Sequence, residues 1–338
     1  MIFETDEKPA LLDIVIVNWN TGDCLSDCLR SIALAGTGLP LGPTVVVDNA
    51  SRDGSAVDLP CPPEVVLISN TANVGFAAAC NQGARLGSGQ YLLFLNPDTV
   101  LLPDTLQQAL DFMESAQGAQ YGICGGLVLH PDGTPGISAS RFPTLANVVT
   151  GTLGLERVVG HWIAPRHLLA AEVTTSGPVD QVIGAFFLVR RSLFDRLEGF
   201  DKRYFLYYEE VDFCARAAAL GAHAFLLSDA KLHHIENVSA KQSGGRSLFH
   251  SLRSRTLYAA RHWSRTELVV LVAFTLLLEL QLRLLRATLR FNVEETTAVV
   301  RALASYAKFV VQTPLQSRLT TAEATATDRQ PTPAAGHP

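Results

Sequence analysis

The stretch Tyr91-Leu92-Leu93-Phe94-Leu95-Asn96-Pro97-Asp98 constrains the fold most, because an unbroken apolar run stops at a proline-stiffened turn carrying one carboxylate. A run of this length reads as a strand buried on both faces, as in parallel sheets covered by helices. Such a strand delivers Asp98 to the carboxyl edge of the sheet, where open α/β sheets bind ligands. Taken alone, Asp98 has a second reading as a turn opener or as the cap of a helix beginning near Pro103.

The stretches around it repeat the pattern. Leu11-Leu12-Asp13-Ile14-Val15-Ile16-Val17 is a β-branched strand, and Leu25, Cys28, Leu29 and Ile32 then recur at helical spacing behind a candidate cap at Thr21. The turn between them, Asn18-Trp19-Asn20-Thr21-Gly22, either grips a nucleotide or satisfies its own backbone. A second strand, Thr44 to Val47, ends in Asp48-Asn49-Ala50-Ser51, again with an acid at the carboxyl end. An acid after an early strand commonly accepts hydrogen bonds from a ribose or base. No GxGxxG or Walker sequence accompanies it, which argues against an ordinary dinucleotide or ATP site.

A third strand, Val65 to Ile68, leads through Asn70 to Phe76 into an alanine-rich helix. Gly75 there permits close backbone approach beside free amides that favour anions, or it serves packing alone. A helix from about Pro103 to Ala116 and a strand from Tyr121 to Leu129, with Gly125 and Gly126 inside it, continue the alternation. The expected architecture is a doubly wound α/β fold with a mostly parallel sheet.

A chain of 338 residues with 48% hydrophobic content can bury a catalytic-sized domain and still carry an appendage. Its net charge of -5 argues against a nucleic-acid-binding body. Met1 to Ala10 is acidic and lacks a basic n-region followed by an apolar core, so no secretory signal is expected and the cytosol is the default compartment. The six cysteines are dispersed without a CxxC pair, which predicts buried reduced thiols.

Ile14-Val15-Ile16-Val17-Asn18-Trp19-Asn20, Val46-Val47-Asp48-Asn49-Ala50-Ser51, Asn73-Val74-Gly75-Phe76, Phe94-Leu95-Asn96-Pro97-Asp98 and Arg141-Phe142-Pro143 follow one another in order. Gly184-Ala185, Gly199-Phe200-Asp201 and Phe205-Leu206-Tyr207-Tyr208-Glu209-Glu210-Val211-Asp212 come after them. This succession, covering roughly Leu12 to Trp263, resembles family 2 glycosyltransferases of the rhamnosyltransferase-like branch.

The resemblance implies an A-type glycosyltransferase fold, a nucleoside diphosphate sugar donor, and Mg²⁺ or Mn²⁺ to neutralise the departing diphosphate. It makes Asp98 the first metal ligand, with Asn96 where the family often has a second acid. It also puts Asn18, Asn20, Asp48, Asn49, Asn73, Gly75, Asn96, Gly184 and Ala185 about the nucleotide sugar. Within Tyr207 to Asp212 the second acid, Glu210, is implied as the general base, with Glu209 and Asp212 as fallbacks; the family usually has aspartate at that place. Read without the family, three acids opening a helix simply suit its dipole, although two adjacent tyrosines favour a pocket wall. After a strand from Ala222 to Leu227, a histidine in Ser228 to His234 resembles a further metal or diphosphate ligand, His234 ahead of its neighbour His233. The glycines that commonly follow are replaced by Ile235-Glu236-Asn237-Val238.

Arg246, Arg253, Arg255, Arg261 and His262 punctuate the next helix, to meet a diphosphate or anionic headgroups, or to form a solvated basic face. Leu268 to Leu278 is apolar save for Thr275, but eleven helical residues rise only about 16 Å, short of a hydrocarbon core of roughly 30 Å. Glu279, Arg283, Arg286 and Arg290 then predict one polar stripe opposite Leu280, Leu282, Leu284, Leu285 and Leu289. The expectation is an interfacial helix on the cytoplasmic leaflet, against a dimer interface or packing on the catalytic body. The expected layout is a catalytic domain over 1–263, with a nucleotide-binding half of about 11–130 and an acceptor half of about 131–263. A helical appendage over 264–312 and a disordered tail over 313–338 follow. The resemblance implies an inverting, metal-dependent glycosyltransferase that moves a sugar, rhamnose by the branch resembled, onto a saccharide or polyprenyl-linked acceptor in cell-envelope polysaccharide synthesis, peripheral on the inner membrane face. A catalytically silent sugar-nucleotide binder or scaffold is the alternative.

Overall fold

A computed structural model describes residues 11–57, 59, 65–235 and 245–313. The expectations for Met1 to Ala10, Cys61, Glu236 to Val238 and the tail beyond Thr313 lie outside the described residues. The chain divides into two compact units, Met1–Gly244 and Gly245–Pro338.

The first unit opens with β1 (Leu12–Asn18), α1 (Cys24–Ala35), β2 (Leu41–Asp48), β3 (Val65–Ser69), α2 (Phe76–Gly83), β4 (Tyr91–Leu95), β5 (Thr99–Leu101), α3 (Thr105–Glu114) and β6 (Tyr121–Leu129). It continues with β7 (Ala139–Ser140), α4 (Leu145–Leu153), α5 (Glu156–Val159), α6 (Ala170–Val173), β8 (Gly177–Val179), β9 (Gln181–Val182), β10 (Phe186–Arg190), α7 (Arg191–Arg196), α8 (Glu209–Ala219) and β11 (His223–His234). Among the described residues one sheet runs β3-β2-β1-β4-β10-β6-β11-β5, with β8 paired to β11. β1, β2, β3 and β4 are mutually parallel.

Alternation along β1 builds two cores, because successive side chains leave opposite faces of a strand. Ile14 and Ile16 pack with Leu25, Leu29, Leu106 and Leu110 on the side of α1 and α3. Val15 and Val17 pack with Ala77, Cys80 and Phe213 on the side of α2 and α8. There Phe94 meets Phe194 and Phe200 at ring-centroid distances of 5.1 and 4.9 Å. The five described cysteines are unbridged, four of them buried and Cys24 half-buried.

The sheet is mostly parallel, as expected, with strand β10 entering antiparallel between β4 and β6. Two features depart from the sequence expectation. Helix α1 begins at Cys24, not behind a Thr21 cap: Asp23 holds the cap position, and the Thr21 hydroxyl donates to Asn18 Oδ1. Strand β11 continues past Leu227 through an irregularity before Lys231, which places both histidines on the strand itself.

The second unit contains α9 (Gly245–His262), α10 (Arg265–Phe274), a π turn (Thr275–Glu279), α11 (Leu280–Leu289) and α12 (Val293–Gln312). The π turn joins α10 and α11 into one helix over Arg265–Leu289, 25 residues long, so the helical segment is longer than the eleven-residue apolar run suggests. The polar stripe starts from a buried residue: Glu279 is fully buried, pairs with Arg283 at 3.2 Å and also with Arg255, whose guanidinium donates to the Thr275 hydroxyl as well. Arg255 is therefore internal, and Arg253 lies 5.6 Å over the Phe309 ring. Leu280 packs with Leu252, Val299 and Tyr306, and Leu284 lies against them. Leu282, Leu285 and Leu289 are instead exposed.

Candidate active site

Side chains tie the carboxyl ends of β1 and β2 together. Fully buried Asn18 sets Nδ2 2.9 Å from Asp48 Oδ1, 2.9 Å from Ser55 Oγ and 3.1 Å from Ser51 Oγ. The second Asp48 oxygen accepts the Ser51 amide at 3.2 Å. Asn20, at φ 52°, accepts the Arg52 amide at 2.7 Å. These residues thus spend side-chain hydrogen bonds on fixing the two loops to each other, as buried polar groups require.

A second set of amides continues the same edge. Asn49 donates to Asn73 Oδ1 at 2.9 Å and accepts the Val74 amide at 3.0 Å. Gly75 sits at φ 89°, and a Cβ there would lie 2.7 Å from the Phe205 carbonyl oxygen. That carbonyl accepts the Phe76 amide at 2.7 Å. The glycine's conformational requirement therefore comes from the close approach of Phe205, which brings the segment ahead of α8 to this edge. On the other side, the Ala185 carbonyl accepts the Asn96 amide at 3.2 Å, and a Cβ on Gly184 would meet nothing within 4 Å.

Past the end of β4, Asp98 Oδ1 lies 3.1 Å from His234 Nε2, with Asn96 Nδ2 3.5 Å from the same nitrogen. Asp98 is buried, and His234 Nδ1 is buried without a partner. The structure brings His234 and not His233 to Asp98: adjacent strand residues point to opposite faces, and His233 Nδ1 lies 3.2 Å from the His130 carbonyl. A carboxylate and a carboxamide oxygen suit either Mg²⁺ or Mn²⁺, and the imidazole suits the transition metal, so of the two implied ions these residues fit Mn²⁺ better. No cluster of three His, Cys, Asp or Glu that would hold a metal by itself occurs among the described residues.

The acids at the start of α8 differ sharply from one another. Asp212 is fully buried and closed: Oδ2 accepts Arg216 Nε at 2.7 Å and Oδ1 lies 3.4 Å from the Tyr204 hydroxyl. Glu209 and Glu210 each keep a buried carboxyl oxygen without a partner. Burial pushes the Glu209 carboxyl well above the ordinary carboxylate range, and the neighbouring Glu210 charge adds to the rise. Burial raises Glu210 as well, opposed by the amides of the helix start and by the Arg166 guanidinium. Ahead of them Tyr207 and Tyr208 are both left-handed, at φ 66° and 70°. Side chains rarely adopt that conformation, and such strain collects at functional sites.

Arg166 is the residue that sequence reading misses. It donates from Nη1 to the Tyr208 hydroxyl at 3.0 Å and lies 4.7 Å over the same ring. It arrives from a loop with no helical or strand period, and its partner is distant in sequence, so only the fold reveals it.

A row of amides, an acid beside an imidazole, and a second pair of acids at a helix start are thus the polar groups that the fold gathers around its α/β sheet. The model of Glycosyl transferase family 2 matches residues 13–198, and the chain belongs to that family. It is a glycosyltransferase with the A-type fold. The N-acetylglucosaminyl-diphospho-decaprenol L-rhamnosyltransferase of Mycobacterium tuberculosis is 29% identical over 280 residues, 76% of this chain and 88% of that protein. The rhamnosyltransferase WbbL of Escherichia coli is 28% identical over 181 residues, 52% of this chain and 64% of that one. Among solved structures, S. aureus TarS 1-349 in complex with UDP-GlcNAc covers 88% of this chain and 80% of its own, at 17% identity and a TM-score of 0.50, a likeness of fold. The family match stops short of α8, so the roles of its acids rest on geometry.

Proposed function

We propose that the protein transfers rhamnose from a nucleoside diphosphate sugar to N-acetylglucosamine carried on a polyprenyl diphosphate, in envelope polysaccharide synthesis at the cytoplasmic membrane face. The observation that carries the reaction is the Glu209–Glu210 pair, Glu209 buried and Glu210 half-buried, each with a buried carboxyl oxygen that has no partner, beside the loop that Phe205 brings against Gly75. Glu210 takes the proton of the acceptor hydroxyl as that oxygen attacks the anomeric carbon from the face opposite the diphosphate. One displacement with one base inverts the anomeric centre. Asn18, Asn20, Asp48, Asn49 and Asn73 line the nucleotide side, and Gly184 and Ala185 leave room beside Asn96 for the sugar. Asp98, His234 and the Asn96 carboxamide would hold Mg²⁺ or Mn²⁺, which when bound neutralises the charge of the leaving diphosphate. The choice of sugar and acceptor is supported by the Mycobacterium tuberculosis relative. A lipid-linked acceptor also suits the loop that carries Arg166, where Val158, Trp162 and Leu169 are 65%, 75% and 63% exposed.

The catalytic body is assigned to the first unit and membrane attachment to the second. One face of the Arg265–Leu289 helix enters the helical core, while Val269, Leu277, Leu282, Leu285 and Leu289 are exposed. Arg283, Arg286 and Arg290, also exposed, complement anionic headgroups beside that apolar face. The helix is long enough to cross a bilayer by length and composition alone, but its buried Glu279–Arg255 pair favours lying in the interface. Cosedimentation with phosphatidylglycerol vesicles checks this; a Leu282→Asp, Leu285→Asp, Leu289→Asp variant that still sediments fully would remove the membrane role.

The reaction itself is tested by incubating purified protein with a panel of nucleoside diphosphate sugars, rhamnose included. N-acetylglucosaminyl-diphospho-decaprenol serves as acceptor, with Mg²⁺, Mn²⁺ or EDTA. The expected result is metal-dependent release of one nucleoside diphosphate together with a rhamnosylated lipid. Nucleotide binding with no release in the presence of that acceptor would overturn it.

A further inference from the structure

Arg166 is a cation that the fold orients without neutralising. Its half-buried side chain lies against buried Tyr208, and only Nη1 is spent, on the Tyr208 hydroxyl at 3.0 Å. Nε is buried without a partner, and no carboxylate pairs with the guanidinium among the described residues. Other arginines of the same unit are closed instead: Arg141 pairs with Glu172, Arg203 with Asp201 and Arg216 with Asp212. A partly desolvated guanidinium with unspent donors is matched by an anion, and paired phosphate oxygens suit its planar fork.

The placement is fixed on both sides. The Arg166 carbonyl accepts the Arg141 amide at 2.7 Å, Arg141 Nη1 donates to the Pro165 carbonyl at 3.1 Å, and His167 sets Nδ1 2.8 Å from the Ser140 hydroxyl. The Tyr208 ring, 4.7 Å from the guanidinium carbon, belongs to the residue directly before Glu209 and Glu210 at the start of α8. The chain leading to Arg166 is apolar on its outer side. Leu155, Val158 and Trp162 follow at three and four residues through a turn in which the Val159 amide bonds to the Leu155 carbonyl and the Ile163 amide to the Val159 carbonyl. Residues at that spacing share a face, and all three are exposed. A ligand that uses both features joins an anion to a hydrocarbon chain.

We propose that Arg166 binds the diphosphate that links the acceptor sugar to its polyprenol, and that Leu155, Val158 and Trp162 receive the first prenyl units. This rests on the reading of the acceptor as a polyprenyl diphosphate-linked sugar. In such an acceptor one sugar ring bears both the hydroxyl that attacks and the diphosphate. A group that reads the second must therefore stand near the base that serves the first, as Tyr208 makes Arg166 do. A soluble glycan acceptor would leave both the cation and the apolar face unused. Arg166 is thus a specificity residue for the lipid carrier, apart from the transfer step itself.

The test is direct binding of geranylgeranyl diphosphate to the full-length protein, followed by calorimetry in detergent with EDTA, so that no metal-held diphosphate contributes. Geranylgeraniol and inorganic diphosphate are separate arms. The native chain should bind the prenyl diphosphate about tenfold or more tightly than either, since a charge-assisted contact is typically worth that much. Arg166→Gln should weaken it by about tenfold to a hundredfold, to the level of geranylgeraniol. Arg166→Lys should weaken it less, and so should Tyr208→Phe, which keeps the ring but loses the anchoring hydroxyl. Val158→Asp combined with Trp162→Asp should weaken the prenyl diphosphate and geranylgeraniol together. Equal native affinity for geranylgeranyl diphosphate and geranylgeraniol, or binding unmoved in both Arg166→Gln and Tyr208→Phe, would overturn the proposal. The assay needs no turnover. Arg166-dependent binding in a chain that transfers no sugar therefore overturns the transfer reading alone, and rhamnosylation of the lipid with binding indifferent to Arg166 overturns this site alone.

Discussion

The two ends of the sheet hold buried charge in opposite ways. At the amino end, Asp13 is 1% exposed, and its Oδ2 takes both the Gly89 amide, at 2.7 Å, and the Arg191 guanidinium. Arg191 spends its remaining nitrogens on the carbonyls of Gly89 and Ala84, at 2.6 and 3.0 Å. A Cβ on Gly87 or Gly89 would run into the Asp13 carboxyl, so the backbone closes over the pair. At the carboxyl end, Glu209, Glu210, His234 and Arg166 keep buried polar atoms with no partner; at the amino end Asp13 Oδ1 also lacks one, but its Oδ2 is held by the Arg191 guanidinium and the Gly89 amide. Leaving such atoms unpaired costs stability, and at the carboxyl end that cost falls on four residues. On the proposed function, substrate completes the hydrogen bonding there.

The largest effect should come from the open end. Glu210→Gln preserves shape and removes only the carboxylate proposed as proton acceptor, and loss of a general base typically costs about 10² to 10⁴ in rate. Turnover should fall by that factor while donor affinity, measured by calorimetry, stays near that of the native chain. Retained turnover would make the two ends alike in function and move the base to Glu209, since Asp212 is already committed to Arg216.

The closed end should answer the reverse way. Arg191→Met leaves the Asp13 carboxylate buried without its partner, which typically costs about 3–5 kcal/mol. The denaturation midpoint should drop accordingly, with kcat/KM of the folded protein unchanged. A variant that lost activity without losing stability would erase the distinction between the ends.

How far this contrast is legible in the sequence depends on whether each signal is local. β4 with Asp98 at its end, β1, β2 and the order of the family motifs are legible because apolar runs and turn residues act over a few positions. The placement of β10 is not, because a strand of ordinary composition gives no sign that it will enter antiparallel between β4 and β6. The reach of β11 to His234 is hidden because an irregularity before Lys231 breaks its pattern. A uniform helical period sets Glu279 in line with Arg283, and the two do pair at 3.2 Å, but no local pattern signals that Glu279 is buried and shared with Arg255. Arg166 has no local signal at all, since its meaning lies in a contact across 42 residues. Spacing favours His234 over His233, and strand alternation supplies the physical reason.

The smallest effect is the most discriminating. A carboxyl whose folded pKa lies above its unfolded value supports the fold in full below the unfolded pKa, and that support is withdrawn as pH rises through the folded pKa. Burial and the Glu210 charge place Glu209 in this class, well above its ordinary 4.5. Glu209→Gln removes the titration while keeping a neutral side chain of the same shape. Its stability relative to the native chain should therefore be flat below about pH 4.5 and improve by about 1.4 kcal/mol for each pH unit above it, until Glu209 ionises in the fold. Denaturant midpoints across that range measure it. A difference that stays constant with pH would mean that Glu209 ionises as readily folded as unfolded. The carboxyl edge would then carry no stored cost in this pair, and its contrast with the Asp13 end would rest on Glu210 and His234 alone.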